Sequence, residues 1–137
     1  MKYSTKKDID PEQLDVLWRT IGWKPRGPEK WKEVLSKSSF VYSIWDRKDR
    51  NLIGFGRILE DGIMCMIYDV GVHPAFRYEG LGTKIMEALI EQVRDKGYAS
   101  IGLFTDEKNP ESVEFYKNFG FEQVDTGMEL VKHMERE

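Results

Sequence analysis

A strand that breaks at a proline, crosses a glycine loop and turns into an amphipathic helix leaves a chain few ways to fold. Residues 67–96, IYDVGVHPAFRYEGLGTKIMEALIEQVRDK, do this. The apolar run ends at His73-Pro74, because proline has no N–H for a sheet ladder. Past the loop Arg77-x-x-Gly80-x-Gly82, the residues Ile85, Ala88, Leu89 and Val93 recur at helical spacing, with Glu87, Glu91, Arg94 and Asp95 on other faces. Gly97 after Lys96 predicts the helix stop. A strand, a glycine loop and a helix N-terminus form a natural anion site: unpaired amides point outward, and glycines let a phosphate come close. A dinucleotide fingerprint needs a third glycine where Ile85 stands, and a P-loop needs Gly-Lys-Ser/Thr where residues 82–84 read Gly-Thr-Lys. On this pattern alone, a tight connection without ligand stays open beside the anion reading.

The rest of the chain builds around that unit. Residues 2–7 are a short first strand. Asp10 is a helix N-cap, with Pro11 at the first helical position and Gln13 placed for a capping box. Leu14, Leu17, Trp18 and Ile21 form the stripe of the first helix, Gly22 closes it, and Trp31, Val34 and Leu35 mark a second. Three strands follow, Phe40 to Trp45, Leu52 to Leu59 and Ile63 to Val72, the last two joined through the hairpin signal Asp61-Gly62. Tyr98 to Phe104 is a further buried strand, so strand, helix and strand make a right-handed βαβ unit with a parallel pair. Asn109, Pro110 and Gly120 then bound a compact helix, and Phe121 to Val124 and Met128 to His133 read as closing strands.

Bulk properties narrow the class. The 137 residues form a single domain, 1–137, with no repeat or linker. The 40% hydrophobic and 33% charged fractions suit an ordinary globular chain. A net charge of −3 argues against nucleic acid or a membrane surface as partner, no apolar run reaches spanning length, and the N-terminus does not read as a signal peptide. One cysteine, Cys65, excludes an internal disulfide, and with only two histidines no metal site is expected. The expected compartment is the cytoplasm.

The loop Arg77-x-x-Gly80-x-Gly82 after Val70-x-Val72-x-Pro74, with Phe115-Tyr116-x-x-x-Gly120-Phe121 downstream, resembles the GNAT superfamily of acetyl-CoA-dependent N-acetyltransferases. Leu17-Trp18, Gly22-Trp23 and Asp61-Gly62 look like one bacterial branch of it. The resemblance implies an α/β GNAT fold: a mixed central sheet of about six to seven strands flanked by about four helices. It implies acetyl-CoA as co-substrate, with its pyrophosphate on Arg77, Tyr78, Gly80, Leu81, Gly82 and Thr83. It further implies that Val70 and Val72 pair with the pantetheine arm through backbone groups, Asn109 near the coenzyme and Tyr116 near its sulfur. Tyr78-Glu79 departs from the small or basic pair usual there, and a carboxylate beside a diphosphate repels it unless it faces solvent.

Moving an acyl group from a thioester to an amine requires a neutral amine and a protonated leaving thiolate. Tyr116 is the candidate acid, against the plain alternative of a core aromatic at helical spacing from Val113. For the base, simple alternation sets Met66, Tyr68, Val70 and Val72 on one face and Ile67, Asp69 and Gly71 on the other, unless a bulge intervenes. Asp69 is a carboxylate in an apolar strand, hence either a site residue or a hydrogen-bonded structural one, and Tyr68 is its rival. His73 reads as a strand terminus, and Cys65 has no histidine placed in sequence to activate it, which favours direct transfer in a ternary complex. The acceptor is a small-molecule or protein amine, and a homodimer stays open. The competing reading is a GNAT-like module that binds acyl-CoA without catalysis, as a sensor or assembly partner.

Overall fold

The computed structural model describes residues 1–48, 50–105, 108–124 and 127–128. The chain divides into two compact units, Met1–Phe104 and Thr105–Glu137. In the first, β1 (Lys2–Ser4) precedes helices α1 (Pro11–Ile21) and α2 (Pro28–Lys37). Strands β2 (Phe40–Trp45), β3 (Leu52–Glu60) and β4 (Met64–Val72) follow, then a single 3₁₀ turn (Pro74–Phe76), helix α3 (Leu81–Val93) and β5 (Ser100–Leu103). The strands form one sheet in the order β1-β2-β3-β4-β5, antiparallel except for the parallel pair β4 and β5. Among the described residues no helix is long and apolar enough to cross a membrane.

Helix α1 starts as expected: the Asp10 carboxylate accepts from the Glu12 amide at 3.0 Å. The capping box does not form. Gln13 instead accepts the Leu52 amide at 3.2 Å and so satisfies the first residue of β3. One face of the sheet carries α1 and α2, where Trp18, Trp31 and Phe55 meet edge to face with centroids 4.7–6.4 Å apart. The other face carries α3. A Cβ at Gly56 would lie 2.6 Å from Ile85 Cγ2, so only glycine lets α3 sit this close to β3. Helix α3 ends at Val93, ahead of the expected Lys96.

The Asp61-Gly62 hairpin is present. Asp61 Oδ1 accepts the amides of Ile63 and Met64 at 2.9 and 2.8 Å, and those bonds lower its pKa.

The second unit holds α4 (Pro110–Lys117), capped by Asn109, whose Oδ1 accepts the Ser112 amide at 3.2 Å. Gly120 closes it as expected, its amide on the Lys117 carbonyl at 2.9 Å. Phe121–Val124 is not a strand, because the Phe121 amide turns back to the Tyr116 carbonyl and finishes the helix end. The described residues therefore form a five-stranded sheet with four helices rather than six to seven strands. The other expected closing strand lies, from Glu129 onward, outside the described residues.

Candidate active site

The pairing of β4 with β5 stops at Ile67 opposite Leu103, whereas its pairing with β3 continues to Val72 opposite Gly54. Five residues, Tyr68 to Val72, therefore extend past the last rung shared with β5. Among the described strands, nothing pairs with that side of β4. Backbone N–H and C=O groups on such an edge are free to pair with an extended ligand.

A bulge interrupts β4 within the same segment. Phe55 faces Gly71 and Arg57 faces Tyr68, so Asp69 and Val70 both oppose Gly56. The extra residue changes the expected alternation. The position of a Gly56 Cβ lies near Val70, Ile85 and Leu89, which puts Val70 on the α3 side, while that of Gly71 lies against Ile21 and Trp23 of the α1 side. Tyr68 and Asp69 therefore share the α1–α2 face, where simple alternation would have separated them, and Val70 parts from Tyr68.

Asp69 takes the left-handed backbone conformation, φ +58°, uncommon outside glycine though tolerated by aspartate. Its side chain is 10% exposed and held by two guanidinium groups. Arg26, from the α1–α2 connection, donates Nη1 and Nη2 to its two oxygens at 2.8 Å each. Arg57, from β3, donates Nε to Oδ2 at 2.6 Å, and its guanidinium lies 4.9 Å from the centre of the Tyr68 ring. Burial works to raise the Asp69 pKa. The hydrogen bonds and charges of Arg26 and Arg57 outweigh it and hold the carboxyl below the usual carboxylate range.

The loop after β4 is bare by comparison. His73 Nδ1 accepts the Ala75 amide at 3.0 Å and so fixes the turn out of the strand, as a strand terminus would. Arg77, Tyr78, Glu79 and Gly80 are exposed. Gly80 is the N-cap of α3, at φ +77° and with no side chain to bond the first amides. The first helical bond joins the Lys84 amide to the Gly80 carbonyl at 3.0 Å, so the amides of Leu81, Gly82 and Thr83 precede any intrahelical partner. Those donors and the positive end of a 13-residue helix suit a diphosphate. Glu79, exposed, has solvent available to it.

In the second unit, Asn109 is engaged as the cap of α4. Tyr116 packs against Phe115 and Phe121, with centroids 5.1 and 6.3 Å away, and burial pushes its phenol pKa up. At neutral pH it is a protonated donor. Arg26 and Arg57 are the polar residues that the sequence did not single out. The available signal was an arginine inside the apolar run Leu52–Leu59, which the hairpin register sets opposite Tyr68, the neighbour of Asp69.

The model of the Acetyltransferase (GNAT) family matches residues 9–121. This chain belongs to the GNAT acetyltransferase family. The uncharacterized N-acetyltransferase ycf52 of Pyropia yezoensis is 38% identical over 121 residues, covering 86% of this chain and 68% of that protein. A chloroplastic GCN5-related N-acetyltransferase 1 of Arabidopsis thaliana is 30% identical over 118 residues, covering 85% of this chain and 58% of that one. A probable acetyltransferase of Staphylococcus aureus shares the fold, with a TM-score of 0.82 over 94% of this chain and 97% of its own, at 23% identity.

Proposed function

We propose that this chain transfers an acetyl group from acetyl-CoA to a primary amine, directly and in a ternary complex. The observation that supports it most is the continuity of the open β4 edge with the uncapped start of α3. One offers backbone groups to an extended amide-bearing arm, and the other offers amides and a positive helix end to a diphosphate. Val70 and Val72 serve the first task. Arg77, Tyr78, Gly80, Leu81, Gly82 and Thr83 serve the second. The thioester supplies an acyl group already activated for attack.

In this reading Tyr116 gives its proton to the departing thiolate. Asp69 is a poor proton acceptor, because guanidinium donors occupy both of its oxygens and depress its pKa. The ammonium proton of the acceptor passes to solvent, directly or by way of Tyr68. The second proton that the nitrogen sheds as the amide forms also passes to solvent, from which Tyr116 recovers the proton given to the thiolate. The acceptor is a small-molecule or protein amine, and the cytoplasm is the proposed compartment.

The experiment follows free thiol released from acetyl-CoA across a panel of amines. Release with at least one amine is expected, and Tyr116→Phe should slow turnover by roughly 10²- to 10⁴-fold, the worth of a positioned general acid. The Michaelis constant for acetyl-CoA should stay near its wild-type value. Coenzyme binding with no release from any amine would instead make the domain a sensor or assembly module. Full activity in Tyr116→Phe would return the tyrosine to the core.

A further inference from the structure

The carboxylate of Asp69 joins three pieces of the first unit at the strand proposed to hold the acyl donor. Arg26 reaches it from the α1–α2 connection, with its guanidinium 4.6 Å from the centre of the Trp31 ring and 5.6 Å from that of Trp18. That connection is itself fastened: the buried Asp15 of α1 accepts the amides of Arg26 and Gly27 on Oδ1, at 3.0 Å each. Arg57 closes on the same carboxylate from β3. Asp69 is meanwhile one of the two β4 residues that oppose Gly56, in a backbone conformation it does not favour on its own.

A bulge decides which way every following residue of its strand faces, because the side-chain period is two. Without it, Val70 would exchange faces with Gly71. The α1 side could not take a valine at 71's place, since even a Cβ there would lie 2.9 Å from both Ile21 and Trp23. The backbone groups between Val70 and Val72 would be re-aimed as well. A conformation that is uphill for an isolated residue persists when its surroundings over-determine it. Here the surroundings are a two-armed ion pair with a rigid bidentate fork on one arm.

We propose that Arg26 is a positioning residue: acting through Asp69, it holds the β4 bulge so that the open edge from Val70 to Val72 presents its backbone to the acyl donor. The proposal rests on the reading of that edge as the donor strand. It also ties the α1–α2 connection, which carries Trp23 and Arg26, to the donor strand through one carboxylate.

The test uses the full chain with Arg26→Gln and Arg26→Lys. Two quantities are measured without acceptor: the dissociation constant for coenzyme A, by calorimetry, and amide hydrogen exchange in the two halves of β4. Arg26→Gln should weaken coenzyme A by roughly tenfold or more, as displaced positioning groups do. Exchange should quicken in Tyr68–Val72 and stay at its wild-type rate in Met64–Ile67. Arg26→Lys keeps the charge without the fork, so its loss should be intermediate; it also carries the test if the glutamine variant does not fold. A variant that melts earlier, exchanges evenly along β4 and binds coenzyme A as wild type would reduce Arg26 to a structural residue and overturn the proposal. If the wild-type chain itself binds no coenzyme A, the donor reading fails. The exchange contrast between the halves of β4 then decides the latch alone: its presence upholds Arg26 as the holder of the bulge, and its absence overturns it.

Discussion

The two ends of the β4 bulge-to-helix segment treat polar groups in opposite ways. At Asp69 every charge has a partner within the fold: one carboxylate, two guanidiniums and contacts of 2.6–2.8 Å. At Gly80 the amides that open α3 have no capping side chain, and the residues before them are exposed. A folded chain satisfies buried polar groups because leaving them unpaired costs about 1–3 kcal/mol each. Exposed donors left without an internal partner can be satisfied by water or by a ligand. The contrast separates two kinds of polarity on one strand-to-helix connection. In the proposed reading the first sets the shape of the strand, and the second meets the acyl donor.

The largest expected effect breaks the saturated end. Arg57→Leu removes one arm from a carboxylate that is 10% exposed, and truncating one partner of a buried pair costs about 3–5 kcal/mol. Arg26 remains in this variant, so the lower figure is expected, read as a lower denaturant midpoint at unchanged slope. The pH dependence sharpens the assignment. The Asp69 pKa is depressed in the fold, so its contribution is complete above the ordinary value of 3.8 and is lost as pH falls through the lower folded-state value. Wild-type stability should therefore drop as pH falls from 3.8 towards that folded-state value, with a component that Asp69→Asn lacks. If Asp69 were instead the general base of the reaction, Asp69→Asn would flatten the acidic limb of the pH–rate profile while coenzyme affinity stayed intact.

The second prediction breaks the bare end. Gly82→Val places a branched side chain in the first turn of α3, where the proposed diphosphate would approach the backbone. Valine is no worse a helix former than glycine, so the domain should fold and melt much as wild type does. Coenzyme A at a hundred times its dissociation constant should stabilise the wild-type chain by about 2.7 kcal/mol, and this variant by far less. A thermal shift retained in Gly82→Val would move the anion site away from α3.

The sequence showed one of these ends far better than the other. Gly80, Gly82 and the helical stripe after them are local in the chain, so their spacing alone announced the loop and the helix N-terminus. The helix starts at Asp10 and Asn109 were legible for the same reason, each cap lying within three residues of the amide it bonds. The Asp69 cluster brings together residues 26, 57 and 69, and only a sheet register and a helix connection make them neighbours. The bulge was foreseeable only as a condition on alternation, because the groups that meet it, Arg26 and Arg57 on Asp69 and Ile85 and Leu89 over Gly56, come from other elements. Gln13 teaches the same lesson at smaller scale: a side chain placed for a local cap went to a β3 amide instead.

The smallest effect is expected at Tyr78, which belongs to the bare end yet carries strain of the kind seen at Asp69. Both are non-glycine residues at positive φ, +65° for Tyr78 and +58° for Asp69. Asp69 has two guanidiniums to hold it there, whereas the Tyr78 side chain is 93% exposed. The left-handed conformation costs an ordinary residue about 1–2 kcal/mol. Glycine removes that cost but loses more freedom on folding, which returns roughly 0.5–1 kcal/mol. Tyr78→Gly should therefore stabilise the chain by no more than about 1.5 kcal/mol, seen as a small rise in denaturant midpoint. The coenzyme A thermal shift should persist, because the amides proposed to hold the diphosphate are unchanged. A lower midpoint would mean that the tyrosine ring packs against something that holds the loop. Loss of the coenzyme shift alone would mean that the ring itself touches the ligand, and the bare end would then have a side chain of its own at work.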